Sequence, residues 1–422
     1  MDRIRVAFFA EILIEDFDGA SRTMFQLIDR ICSNSFDFLF ICGTGPDQLG
    51  DFKCLKVPAV STPVNKKYKI ALPGFSKKHI SSQLKDFNPH VIHIATPSML
   101  GHFGLKYAKL HSIPVITIYH THFVSYIDYY FKHLPFLIKP IKQNITAVQN
   151  KFYNECDKVY VPSTSIASEL MASGIDGNRL VIWKRGINTS LFSPLKKDTD
   201  YMERLTGNRM PSVLFASRLV WEKNLELLIG IYALMEQQKL PFNLIIAGDG
   251  DARKACQQRM PNAVFTGNLS HSDLSVLYAS ASVFVFPSNT ETFGNVVLEA
   301  MASGTPCVIA DAGGSKDFIT NGINGFKCSV STLDSAYVFL DKIKLVINDP
   351  HLRAELSANG LQFCRSYDWT ALADTYFKDL TGLTGLHTIH DLHKNALENV
   401  ENVENTENFE RVEKNIEHIN VI

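Results

Sequence analysis

Two carboxylates eight residues apart, Glu291 and Glu299, lie in VFVFPSNTETFGNVVLEAMASGTPCVIA, residues 283–310. Glu299 stands among Val296, Val297, Leu298, Ala300, Met301 and Ala302, so nearly every side of it is apolar. A carboxylate in such surroundings needs hydrogen-bond donors, and the paired hydroxyls of a ribose would supply them. The alternative is a glutamate favoured near a helix start by the helix dipole. The unpaired amides of a helix start at residues 292–296 suit a phosphate. Two cations, Arg218 and Lys223, follow an earlier apolar run in SRLVWEKN, and Gly248 follows another in GDGD. Cations, glycines and helix-start amides together fit a diphosphate, although either cation alone is more often an ordinary surface charge.

Two residues of the first half belong to the same chemical reading. Gly19 falls between a strand and a helix start, where backbone approaches a ligand closely or simply turns. His120, in YHTHF, ends an apolar run and is either a ligand-edge histidine or a histidine bonded within a turn. His120 and His122 lack an evident third ligand. The pairs Asp16/Asp18, Asp198/Asp200 and Asp249/Asp251 are near chance for so short a pattern, so no metal site is read from either group.

The elements that position these residues follow from the pattern. Residues 283–286 read as a strand ended by Pro287, residues 295–303 as a helix stopped by Gly304 and Pro306, and residues 307–310 as the next strand. That is a parallel βαβ unit with a right-handed crossover, whose loop opens at the edge where open α/β sheets bind ligands. Strands at 213–216, 244–247 and 264–266, with that at 307–310, bring their loops to the same edge if the sheet is parallel. In the first half, strands are expected at 4–10, 36–42, 54–60, 91–95, 115–120, 158–161 and 181–183, with helices between most of them. The class is α/β, a parallel sheet with helices on both faces. GxGxxG is absent.

A chain of 422 residues suggests two or three domains. A first domain is expected over 1–190, a linker around Pro194 and Gly207 over 191–210, a second domain over 211–365, and a low-complexity Glu/Asn-rich tail over 386–422. A net charge of −1 gives no sign of a nucleic-acid partner. The eight cysteines are scattered without a CxxC pair, as in the reduced core of a cytosolic protein. No apolar run approaches the roughly 18 residues of a membrane span, and the N-terminus reads as a first strand, not a signal peptide. Residues 65–79 and 126–142 mix lysines with aromatic and aliphatic side chains. Such mixtures suit an anionic membrane surface, or else a solvated face with core anchors.

The chain resembles the retaining glycosyltransferases of family four, nearest to the branch of GDP-mannose-dependent and sulfoquinovosyl lipid-glycosylating enzymes. The residues that carry the likeness are Asp18-Gly19, His120 in YHTH, Arg185-Gly186-Ile187-Asn188, Arg218 with Glu222-Lys223, Gly248-Asp249-Gly250, and Glu291-x7-Glu299 followed by MASGTP. The resemblance implies the GT-B architecture: two Rossmann-like domains facing a cleft, with a closing helix over 366–382 that crosses back onto the first domain. It implies that Glu299 holds a ribose and that Arg218 and Lys223 neutralise the diphosphate. Glu291 and the backbone of Phe293, Gly294, Asn295 and Val296 would contact the sugar and phosphates. Gly19 and Gly248 would line the donor, and His120 would lie near sugar and acceptor. Asn188 stands where the family has an acid, which weakens a role there.

The expected activity is transfer of a mannose- or glucose-type hexose from a GDP or UDP sugar to a membrane lipid or lipid-linked glycan. No metal or other cofactor is expected, and the enzyme would be cytoplasmic, peripheral on the inner membrane face. A soluble polysaccharide acceptor, or a non-catalytic sugar-nucleotide-binding module, are the alternatives.

Overall fold

The computed structural model describes residues 3–15, 17–61, 68–120 and 135–385. The low-complexity tail, His122, residues 65–67 and residues 126–134 lie outside the described residues.

The first half comprises β1 (Ile4–Ile12), α1 (Gly19–Ile28), β2 (Phe36–Thr44), β3 (Gln48–Leu49), β4 (Phe52–Lys56), β5 (Ala59–Ser61), β6 (Lys69–Ala71), α2 (Lys77–Phe87), β7 (Val91–Ile94), α3 (Met99–Leu110), β8 (Val115–Ile118), α4 (Pro135–Asn154), β9 (Lys158–Val161), α5 (Thr164–Ser173) and β10 (Leu180–Ile182). Eight of these strands form one sheet in the order β10-β9-β8-β7-β1-β2-β4-β3. β1 pairs in parallel with β2 and β7, and only β3 joins its neighbour antiparallel among the registers seen. The middle of β1, residues 6–10, is a continuous apolar and buried run, as in central parallel strands covered on both faces, while Arg5 and Glu11 stand at its ends. The strand expected over 54–60 is two strands. β4 ends at Lys56, and beyond Pro58, which has no N–H to give a ladder, β5 turns away to pair antiparallel with β6.

The second half comprises α6 (Thr199–Thr206), β11 (Ser212–Ala216), α7 (Leu225–Gln237), β12 (Asn243–Ala247), α8 (Arg253–Arg259), β13 (Val264–Gly267), α9 (His271–Ser280), β14 (Val283–Phe286), α10 (Asn295–Ala302), β15 (Cys307–Ala310), β16 (Phe326–Cys328), α11 (Ser335–Asn348), α12 (Pro350–Cys364) and α13 (Trp369–Thr384). Its sheet has the order β13-β12-β11-β14-β15-β16, with every pair parallel. The loops after β11, β12, β13, β14 and β15 therefore share one edge. Within residues 191–210 the chain forms α6, which Asp198 caps by accepting from the Tyr201 amide and which Gly207 ends at φ 73°. All eight cysteines are unbridged, and only Cys32 is exposed.

By Cα proximity the chain divides into two units, one of residues up to 17, 24–116 and 373 onward, the other of residues 18–23 and 117–372. In the first, α13 is anchored by Tyr376, whose hydroxyl lies 2.8 Å from Nδ1 of His93. The His93 ring stacks on Phe8 with centroids 4.1 Å apart, and Phe377 packs on Phe36. Burial pulls the His93 pKa down to about 3. The unfolded chain then takes up a proton that the folded chain refuses. The contribution to stability is complete above about pH 6.5 and is lost as pH falls toward 3, at up to about 1.4 kcal/mol per pH unit. Urea midpoints should fall more steeply between pH 6.5 and 4 for the native chain than for His93→Phe. Parallel slopes would remove His93 from the acid response.

Candidate active site

The strand β14 is fully buried and ends at Pro287. The loop that follows is clamped from the next strand's loop. The amide of Gly314 donates to the Glu291 carbonyl at 2.7 Å, and a Cβ on Gly314 would stand 2.0 Å from the Thr292 carbonyl oxygen. Only a glycine lets the two backbones lie this close. The clamp aims the Glu291 side chain at Lys223, whose Nζ donates to Oε1 at 2.5 Å, and Ser288 Oγ donates to the same oxygen at 3.1 Å. Lys223 is held in turn, because Thr290 Oγ1 donates to the Glu222 carbonyl and Asn224 Nδ2 to the Pro287 carbonyl. The result is a cation only 5% exposed, fixed beside the start of α10. Arg218, on the same loop, is different. Its side chain is 67% exposed and its guanidinium lies 3.8 Å from Glu222, which leaves it able to swing onto a bound anion.

Gly248 has φ 127°, and a Cβ there would lie 1.9 Å from the Ser217 carbonyl oxygen. The loop after β12 is thereby laid directly against the backbone next to Arg218. Gly294, at φ 89°, turns the chain into α10. Phe293 is buried against Phe318, so its amide, not its ring, is what it can offer a ligand. Asn295 opens the helix with a buried Oδ1 that has no partner among the described residues, and Val296 is half-buried behind it. The site of a Cβ on Gly19 lies 3.9 Å from Asn295 Nδ2.

Glu299 is 4% exposed in the second turn of α10. The Tyr278 hydroxyl donates to its Oε2 at 3.3 Å. Burial raises the pKa of this carboxyl, while Arg22, then His271 and Tyr278, pull it back. His120 follows β8 and is buried, and Arg185 donates to its carbonyl at 3.2 Å with the same Nη2 3.4 Å from Nδ1. The Arg185 guanidinium also lies over the Phe293 ring at 5.4 Å. Burial lowers the Arg185 pKa to about 10, against the pull of Asp18 and Glu291, so it stays charged at neutral pH.

The structure thus brings Glu291, Lys223, Phe293, Gly294, Asn295, Val296 and Glu299 together around one strand-to-helix turn and joins His120 to that turn through Arg185. Arg185, Arg22, Ser288 and Tyr278 were not singled out from the sequence as site residues. Arg185 had a signal in the RGIN motif; the others become visible only once the fold sets them beside the two glutamates. Among the described residues, no group of three or more His, Cys, Asp or Glu side chains could hold a metal ion. The arrangement combines fixed positive charge, helix-start amides and a buried acceptor, which are the means of holding a dianionic leaving group and a polyhydroxyl compound.

Residues 17–191 match the family Glycosyltransferase Family 4, and residues 201–363 match Glycosyl transferases group 1. A GDP-mannose-dependent alpha-mannosyltransferase of Corynebacterium glutamicum is 30% identical over 376 residues, spanning 87% of this chain and 86% of that protein. The sulfoquinovosyl transferase SQD2 of Arabidopsis thaliana is also 30% identical, over 87% of this chain and 71% of that one. Among solved structures, HepE of Anabaena in complex with UDP and glucose superposes with a TM-score of 0.68 at 17% identity, covering 90% of this chain and all of that one. With the family shown by relatives this similar over most of their length, the chain belongs to the group 1 and family 4 glycosyltransferases, GT-B-fold enzymes that use nucleotide-sugar donors.

Proposed function

We propose that the protein transfers a mannose- or glucose-type hexose from a nucleoside-diphosphate sugar to a membrane lipid or lipid-linked glycan, with retention at the anomeric carbon and without a metal. The observation that carries this reading is the buried pair that Lys223 makes with Glu291 on the loop that leads into α10, whose start is one helical turn before Glu299. Breaking the bond between the anomeric carbon and the phosphate oxygen leaves its electron pair on the diphosphate. Lys223, a reoriented Arg218 and the amides of residues 293–296 stabilise that charge and stand in for a metal. Glu291 and Asn295 Oδ1 accept from sugar hydroxyls, and Glu299 accepts from the ribose. His120 and Arg185 border the sugar. The acceptor hydroxyl attacks from the face the diphosphate leaves, and its proton passes to the departing phosphate oxygen. The reaction therefore needs no strong base from the protein.

A lipid acceptor is supported by relatives such as the alpha-monoglucosyldiacylglycerol synthase of Streptococcus pneumoniae, 25% identical over 72% of this chain. It is supported also by exposed aromatics beside cations: Phe75 with Lys77 and Lys78 in one unit, Phe136 with Lys139 in the other. No helix among the described residues is long and apolar enough to cross a membrane. Our reading has the enzyme on the cytoplasmic face, held by such exposed contacts. Anionic vesicles should pull the protein down at low salt, and Lys77→Glu with Lys78→Glu should weaken that binding. No co-sedimentation would favour a soluble glycan acceptor. The donor is tested by thermal shift with UDP, GDP, ADP and their sugars. Saturation at about a hundred times Kd adds roughly 2.7 kcal/mol. A shift with one nucleotide names the donor class, and no shift with any of them refutes the donor site.

A further inference from the structure

Arg22 enters the donor site from an element the reaction scheme above does not use. It lies one turn into α1, whose first turn is fixed by Asp18: the carboxylate accepts from the Ser21 amide at 2.8 Å and the carbonyl from the Arg22 amide at 3.0 Å. Residues 18–23 group by proximity with the unit that holds Glu299, Tyr278 and His271. Arg22 Nη1 lies 2.6 Å from His271 Nε2. A guanidinium only donates, so His271 Nε2 is the acceptor and fixes the direction of the arginine. The same Nη1 stands 3.9 Å from Glu299 Oε1. That separation is too long for a hydrogen bond. Tyr278 occupies Oε2, and no hydrogen bond reaches Oε1 among the described residues.

An oxygen placed about 2.8 Å from both atoms closes a triangle with a nearly right angle at that oxygen, which is hydrogen-bond distance to each. Whatever sits there must accept from the guanidinium and donate to the carboxylate. A phosphate or carboxylate oxygen cannot donate and an ammonium cannot accept, so of the groups a sugar nucleotide carries it is a hydroxyl that suits the gap, in the place a water takes without it. We propose that Arg22 is a second binding residue of the ribose subsite: one ribose hydroxyl lodges between Arg22 Nη1 and Glu299 Oε1, accepting from the first and donating to the second. The proposal rests on the reading of Glu299 as the ribose acceptor and adds that ribo- against deoxyribonucleotide selection is shared with α1.

The test is calorimetric binding of GDP and UDP and of their 2′-deoxy and 3′-deoxy forms to the native chain, Arg22→Met, Arg22→Lys and Glu299→Ala, each checked for an unchanged thermal midpoint without nucleotide. The native chain should bind the ribonucleotide about 10- to 100-fold more tightly than either deoxy form, the scale of a hydrogen bond to a charged group. Arg22→Met should lose that preference, to within about threefold, against one deoxy form and keep it against the other, with Arg22→Lys between. Glu299→Ala should lose both preferences. Arg22→Met retaining both, or losing both as Glu299→Ala does, overturns a direct contact from Arg22. Glu299→Ala retaining both, or a native chain without preference, overturns the ribose reading itself.

Discussion

Lys223→Ala should lower kcat/KM by about two to three orders of magnitude, the usual cost of removing one fixed stabiliser of transition-state charge. The lysine is poised for this because its ammonium is buried and tied to Glu291 Oε1 at 2.5 Å, so no reorganisation is needed when charge develops on the diphosphate. Removing it also strands the Glu291 carboxylate, whose remaining donor there is Ser288. The folded state should therefore lose about 3 kcal/mol, as when one partner of a largely buried ion pair is deleted. The two effects separate in the double variant. Lys223→Ala with Glu291→Ala removes the stranded charge and should recover most of the thermal midpoint, while activity stays at or below that of Lys223→Ala alone. Sugar transfer within threefold of native in Lys223→Ala would show that the lysine only supports the loop.

Much of this site was legible before the fold. Parallel strands buried on both faces are continuous apolar runs, so 213–216, 244–247, 283–286 and 307–310 stood out, and the polar, glycine-bearing loops after them had to share an edge. Glu299 could be read as buried because its helix is apolar all round, and it is. Its partner Tyr278 could not be read, since nothing local links residues twenty-one apart on different helices. Arg22 was illegible for a related reason, and the RGIN motif marked Arg185 without showing its partners. A lone arginine in sequence defaults to the surface, and only the packing of Phe293 over one and His271 against the other shows otherwise. The misreading at 54–60 came from treating Pro58 as the interior of one strand, when it marks the point where the chain leaves the large sheet. The close backbone approach at Gly314 likewise has a target set not by its own segment but by the neighbouring strand's loop.

That target makes Gly314→Ala one of the most damaging small substitutions expected among the described residues. The added methyl carbon would sit 2.0 Å from the Thr292 carbonyl oxygen and 2.7 Å from its carbon, and backbone cannot yield as a flexible side chain would. The two loops must part, and the Gly314 amide must release the Glu291 carbonyl. Overpacking of this kind costs about 3 kcal/mol or more. The displacement also moves Glu291 away from Lys223 and shifts the amides of residues 293–296, and a misplacement of about 1 Å in a catalytic constellation is worth on the order of a hundredfold in rate. Gly314→Ala should therefore lose at least that much kcat/KM even at temperatures where it is folded, and should no longer be stabilised by the donor nucleotide. The control is Gly382→Ala in α13, where nothing lies within 4 Å of the added carbon. There alanine is the better helix former by up to about 1 kcal/mol, and activity should be unchanged. Native-like turnover by Gly314→Ala would mean that the loop carrying Glu291 can shift without consequence, and the assignment of Glu291 and the helix-start amides to the reacting sugar phosphate would fall with it.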